Sequence, residues 1–204
     1  MQKITFVAAT NNRGKLNEIK EVLVSLGHSV ISLKEAGVQS EPDENGRTFL
    51  ENAAIKAAAA RDGTDRAVIA DDSGLLVEAL GGMPGVRTAR YAGKGCSDSD
   101  NINKLLQNLE GLPRQDRRAW FAAAVAALLP DGGIVSAHGY TEGYIGFEPR
   151  GEGGFGYDPI FYVRGGLSFS ELAEERKNAV SHRGRAIRKL GFKLRNIRKM
   201  RGAE

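Results

Sequence analysis

The sequence predicts an α/β fold with a long, strongly twisted mixed central sheet, flanking helices and two lobes around a cleft. Three observations predict it. Apolar runs at Ile4–Ala9 and Ala67–Ala70 are strand-like and neighbour segments with helical spacing, the syntax of alternating strands and helices. Two longer runs, Arg117–Leu129 and Ile134–Ile145, flank Pro130-Asp131-Gly132-Gly133 and read as one long hairpin. The 204 residues, 41% hydrophobic and 26% charged, can bury a sizeable core, and no linker divides them, so one domain spanning 1–204 is expected.

The elements follow in order. After the strand at Ile4–Ala9, Leu16, Ile19, Val22, Leu23 and Leu26 fall at helical spacing and Gly27 closes the helix. Ser29–Leu33 is a short second strand, and residues 41–46 form a polar, acidic loop. Thr48 and Glu51 make a T-x-x-E capping box ahead of an Ala-rich helix over Asn52–Arg61. The run from Ala67 then ends in Asp71-Asp72-Ser73-Gly74, which reads as a strand delivering carboxylates to the edge of a sheet. Glycines and Pro84 break the chain at residues 81–85, and Ser97 caps a helix running to Leu109. Ala122–Ala127 has helix propensity, but the turn and the alternating partner beyond it favour strand. A glycine-rich loop covers residues 151–156, Ile160–Val163 is apolar, and helices are expected around Ser170–Arg176 and over His182–Met200.

Composition narrows the function classes. Cys96 is the only cysteine, which excludes an internal disulfide framework and favours a reducing compartment; beside Asp98 and Asp100 it gains no activation as a nucleophile. No run approaches the roughly 20 apolar residues that span a bilayer, so a cytoplasmic protein without membrane association is expected. The net charge of +4 is concentrated in the Lys- and Arg-rich stretch 176–201, which suits either a nucleic acid or a polyanionic small molecule.

Chemistry-bearing residues cluster at the ends of these elements. Thr10-Asn11-Asn12-Arg13-Gly14-Lys15 offers backbone N–H groups, a hydroxyl, amides and cations where a strand turns into a helix, a geometry that suits phosphate and also fits an ordinary polar turn. Asp71 and Asp72 point to opposite faces of their strand, so one carboxylate at most faces a given cleft and the other is structural. The inward one suits a hard divalent ion and can take a proton from water. Glu41, Asp43 and Glu44 could add oxygen ligands or simply be solvated. Phe155-Gly156-Tyr157-Asp158 supplies rings for stacking and a carboxylate for a base edge, although such aromatics also serve as core. Lys177, His182 and Arg183 put cations before and at the start of the last helix, either as a second phosphate clamp or as a solvated basic helix start.

Six ordered motifs join these pieces: A-T-N-N-R-G-K at 9–15, T-F-L-E-N-A-A-I-K-A at 48–57, A-D-D-S-G-L at 70–75, G-G-M-P-G-V-R-T-A-R-Y-A-G at 81–93, G-G-F-G-Y-D-P-I-F at 153–161 and S-H-R-G-R-A at 181–186. Together they resemble the Ham1, or inosine triphosphate pyrophosphatase, family from residue 3 to about residue 190. The resemblance implies a Mg²⁺-dependent homodimeric hydrolase that clears ITP, dITP and XTP to monophosphate and pyrophosphate, with a nucleotide cleft between its lobes. It further implies that residues 10–15 hold the triphosphate, that Asp72 is general base and magnesium ligand, and that Ser73 touches the substrate. Phe155, Gly156, Tyr157 and Asp158 would bind the nucleoside with Phe155 stacking. Lys177, His182 and Arg183 would complete the base and phosphate contacts, with Lys15 and Arg183 neutralising the leaving pyrophosphate, and Glu44 would join the metal. No specific nucleic-acid partner is implied. Two departures stand out: Asn11 occupies a position where many relatives carry Gly, and the tail from Lys193 to Glu204 is unusually basic.

Overall fold

The computed structural model describes residues 3–201, with side chains through residue 196. Its centre is a six-stranded mixed sheet in the order β2-β1-β3-β4-β5-β6, formed by β1 (Thr5–Ala8), β2 (Ser29–Ser32), β3 (Ala67–Val77), β4 (Arg118–Leu128), β5 (Ile134–Ile145) and β6 (Phe161–Tyr162). β1 runs parallel to both neighbours, with Val7 opposite Ile31 on one side and Val68 on the other, while β6 pairs antiparallel with β5. Helices α1 (Arg13–Ser25), α2 (Leu33–Ala36), α3 (Phe49–Arg61), α4 (Asp98–Asn108), α5 (Glu174–Val180) and α6 (His182–Arg201) complete the fold.

The chain forms two compact units. The first comprises the chain up to Asp72, residues 123–139 and the chain from His182; the second comprises 73–122 and 140–181. In the first, Phe6 and Ile69 of the sheet pack with Ile19 and Leu23 of α1 and with Ile187 and Leu190 of α6, all essentially without solvent exposure. The opposite cluster joins Val7, Val68 and Ala70 to Ala57 and Ala60 of α3. Small residues on both sides allow close approach of helix to strand. A side chain at Gly139 would collide with the backbone of His182 and Ala186, so the first turn of α6 lies directly on β5. In the second unit, Phe121, Phe161 and Phe169 form a ring cluster with centroids 4.4 to 5.6 Å apart, joined by Leu75, Leu105 and Ile145.

Most expected elements lie where sequence pattern puts them, including the hairpin strands and the Ala122–Ala127 stretch, which is strand and buried. Three differ. The run from Ala67 does not end at the carboxylates: Asp71, Asp72, Ser73 and Gly74 lie inside an eleven-residue central strand, because Leu75 and Val77 go on to find buried partners in the second core. The Ser170–Arg176 region is a 3-10 turn at Phe169–Glu171, closed by a Ser168–Glu171 capping box, with α5 starting only at Glu174. α3 starts at Phe49, directly after its Thr48 cap, rather than at Asn52.

Candidate active site

The loop after β1 is organised by its own side chains. Thr10 Oγ1 accepts from the Asn12 amide at 3.2 Å, and Asn12 Oδ1 accepts from the Lys15 amide at 3.0 Å, capping α1. Arg13 is exposed and Gly14 half-buried in the first turn. Asn11 Nδ2 reaches Glu41 Oε1 at 3.5 Å, beside a cavity of about 690 Å³ that both residues line. Lys15 turns its ammonium inward to Asp71, 3.4 Å from Oδ2.

The pleat of β3 separates its two acids into different chemistries. Asp71 is fully enclosed: Oδ2 accepts from Arg183 Nε at 2.8 Å, while Arg183 Nη1 donates to Glu18 at 2.7 Å. Among the described residues Asp71 Oδ1 is buried without a hydrogen-bond partner. Asp72 instead faces α3, where Asn52 and Lys56, one turn apart, donate to Oδ2 at 3.0 Å and Oδ1 at 3.3 Å. Asn52 also accepts from the Gly46 amide at 2.8 Å, and Lys56 Nζ reaches Glu44 Oε2 at 2.9 Å. One helix face thus ties the acidic loop to Asp72 and joins the two carboxylates through a single ammonium.

Electrostatics sharpen that division. Burial raises both carboxyls, but at Asp71 the Lys15 and Arg183 cations overcome it and hold the group well below the usual carboxylate range. At Asp72 burial prevails over Lys56, Lys15 and the Asn52 hydrogen bond, and the carboxyl lies above its ordinary value. Burial likewise lowers Lys15, only partly offset by Asp71, whereas at Lys56 the nearby Asp72 and Asp71 charges outweigh burial and raise the ammonium.

The second unit carries its own constellation. Asp158 is buried, and its Oδ2 accepts from the Phe155 amide at 2.9 Å and from Lys177 Nζ at 2.7 Å. The same ammonium lies 5.1 Å from the Phe155 ring centroid. Tyr157 is turned into the core and donates its hydroxyl to the Thr88 carbonyl at 3.0 Å, and burial pushes that hydroxyl up. Gly156 donates its amide to Asp98 at 2.7 Å. Ser73 is buried next along β3, and in the first unit His182 is buried at the first residue of α6.

A model described as the Ham1 family matches residues 6–192. The chain belongs to the Ham1 family. It is similar to the dITP/XTP pyrophosphatase of Bacillus subtilis (strain 168), 47% identical over 90% of this chain and 93% of that one. The enzyme of the same description from Geobacter sulfurreducens is 47% identical over 89% and 92%. Among solved structures, a HAM1 protein from Coxiella burnetii superposes with a TM-score of 0.83 at 42% identity, covering 95% of this chain and 99% of that one. A nucleoside-triphosphatase / dITP/XTP pyrophosphatase from Mycobacterium abscessus gives 0.71 at 43% identity, covering 92% and 97%.

In this Ham1 chain the structure gathers Lys15, Glu44, Asp72 and Arg183 into two linked charge clusters of the first unit, and Phe155, Asp158 and Lys177 into one cluster of the second. The Arg183 guanidinium is 1% exposed and engaged by two carboxylates. Sequence reading missed Glu18, Asn52 and Lys56. Glu18 was visible as an acid in line with Lys15 and Val22 beside the apolar stripe of α1, and Asn52 and Lys56 as an i, i+4 polar pair in a helix otherwise rich in alanine.

Proposed function

We propose that the protein hydrolyses non-canonical purine nucleoside triphosphates, ITP, dITP and XTP, to the monophosphate and pyrophosphate, and so cleanses the nucleotide pool. The observation that carries the reading is Asp72: a carboxylate raised by burial, aimed by Asn52 and Lys56, and linked to a second acid by one ammonium. A base poised this way can accept a proton from water, whose oxygen bonds to the α-phosphorus while the bond to the bridging oxygen breaks and pyrophosphate departs. The names borne by relatives that align along nearly the whole chain support the substrate class.

The donor set fits Mg²⁺. Glu44 and Asp72 supply hard carboxylate oxygens already gathered around a cation, and Mg²⁺ is typically held by one or two carboxylates together with substrate phosphates. Among the described residues no group of three or more acids, histidines and cysteines could hold a metal alone, so substrate and water oxygens would complete the shell. When bound, the ion supplies electrophilic stabilisation of phosphoryl charge and lowers the pKa of a water. The chain's own residues do the rest. Thr10, Asn11, Asn12, Arg13 and Gly14 line the triphosphate at the start of α1, and Lys15 adds charge there. Arg183 holds Asp71 and orients that cluster. Phe155 stacks on the purine, Gly156 and Tyr157 shape its loop, and Asp158, Lys177, Ser73 and His182 complete the nucleoside contacts.

Selection rests on the purine 6-position, where a carbonyl accepts from a donor that would face adenine's amine unsatisfied. We take the protein to act as a single-domain homodimer in the cytoplasm, where nucleoside triphosphates are found. No helix among the described residues is long and apolar enough to cross a membrane. The test is pyrophosphate release with Mg²⁺ from ITP, XTP, dITP, ATP, GTP and the pyrimidine triphosphates at equal concentration. Turnover confined to ITP, XTP and dITP is expected; preference for a pyrimidine or a canonical purine would overturn the substrate assignment.

A further inference from the structure

The loop that carries Phe155 is intrinsically loose. Four of the six residues 151–156 are glycine, and Phe155 sits between Gly154 at φ +80° and Gly156 at φ +60°, both left-handed. Such a segment has much conformational freedom to lose before it can present a ring in one orientation. Two of the bonds that order it are local, the Phe155 amide to Asp158 and the Asp158 amide to the Phe155 carbonyl at 3.2 Å. The bond from Gly156 to Asp98 reaches 58 residues across the chain to a different element, the first turn of α4.

Asp98 is not needed to start that helix. Ser97 Oγ accepts from the Asp100 amide at 3.1 Å, and Asp100 Oδ2 accepts from the Ser97 amide at 2.8 Å, a complete capping box. The remaining acid of the turn spends its Oδ2 on the backbone of the glycine loop instead, in a charge-assisted bond of 2.7 Å.

We propose that Asp98 is a positioning residue for nucleoside recognition: by fixing the Gly156 amide it preorganises the Phe155 ring before the purine arrives. This rests on the nucleotide reading given above. Affinity gained by preorganisation disappears when the clamp is removed, while groups that handle phosphate are untouched.

Asp98→Ala is therefore expected to raise KM for ITP about tenfold, the equivalent of about 1.4 kcal/mol, with kcat within about twofold of wild type. Inhibition by inorganic pyrophosphate should not change. Asp98→Asn, whose Oδ1 still accepts the amide, should restore most of the affinity. Asp100→Ala breaks the capping box without touching the loop, and should lower Tm while leaving KM alone. Amide hydrogen exchange at Gly156 of the wild-type protein gives a check that needs no variant, with slowed exchange expected. An unprotected Gly156 amide, a wild-type KM in Asp98→Ala, or an equal loss of pyrophosphate inhibition would each overturn the inference. Absence of purine triphosphate turnover in the wild type would overturn the nucleotide reading and this inference together; turnover with an unmoved Asp98→Ala KM sinks the inference alone.

Discussion

Arg183→Met probes the buried charge cluster most directly. The guanidinium is 1% exposed and sits 2.7 Å from Glu18 and 2.8 Å from Asp71, so methionine preserves an apolar stem while stripping both carboxylates of their shared cation. Removing one partner of a buried ion pair costs about 3–5 kcal/mol, since the desolvated charge stays behind. Lys15 remains 3.4 Å from Asp71, which places the expected loss near the low end, about 3 kcal/mol at pH 7. For a chain of this size about 1 kcal/mol moves Tm by about 2–4 °C, so a fall of about 6–12 °C is expected. The pH dependence has a definite sign. Asp71 is held below its unfolded value, so its stabilisation is present above the ordinary carboxylate range and is lost as pH falls through the folded value. The variant lacks much of that contribution, and the gap to wild type should narrow as pH drops below about 4. Urea titrations at several pH values measure it. Glu18→Met combined with Arg183→Met should cost less than Arg183→Met alone, because the Glu18 carboxylate is removed together with the cation 2.7 Å from it. A single variant within about 1 kcal/mol of wild type, or a pH-independent gap, would refute the reasoning.

Asp72→Asn should reduce pyrophosphate release by about a thousandfold or more while Tm holds or rises, because burial already disfavours the charge that the substitution removes. Thermal melts beside rate assays test both halves, and a marked fall in Tm would contradict the burial argument. Lys56→Met removes the cation that pulls Asp72 down, so the acid limb of the kcat/KM profile should move to higher pH; an unmoved limb would detach Lys56 from the base. Phe155→Leu should raise KM for ITP by about 5- to 150-fold with kcat little altered, the range set by about 1–3 kcal/mol of base–aromatic stacking. Equal losses in kcat and kcat/KM would instead give the ring a transition-state role.

The parts of the fold legible in the sequence are those where a local signal agrees with the final packing. The Ser97 cap announces a helix start that the structure bears out, and the Thr48–Glu51 box forms as the pattern suggests although its helix begins at Phe49 rather than Asn52. The four-residue turn from Pro130 to Gly133 closes the hairpin, with Leu129 donating to Gly133 at 2.8 Å. Strand ends were less visible. Asp71 and Asp72 look like breakers, yet β3 runs through them because Lys15, Arg183, Asn52 and Lys56 meet their charges and a second core awaits Leu75 and Val77. No periodicity announces two buried carboxylates, one partnered from residues 15 and 183 and the other from residues 52 and 56. The candidate site was legible as a set of residue types at strand ends and helix starts. What the sequence could not show is that Asn52 serves Gly46 and Asp72 at once, because that depends on how closely an Ala-rich helix approaches a strand.

Two consecutive aspartates on one strand would be wasteful if they did the same work, and their surroundings show that they do not. Asp71 is held between Lys15 and Arg183 and stays ionised far into acid, which makes it a fixed anchor between α1 and α6 and a poor base. Asp72, one pleat away, is pushed up by burial and restrained by Lys56, Lys15 and the Asn52 amide, so its proton affinity is raised and adjustable. Carboxylates driven apart in this way fit the proposed division of roles, in which the strongly paired group is structural and the other takes the proton. The same logic explains why Lys56 is suited to the gap between Glu44 and Asp72. It partners the buried Asp72 and the half-exposed Glu44 at once, and its flexible ammonium can yield to another cation or turn to a phosphate when the acids are needed for chemistry.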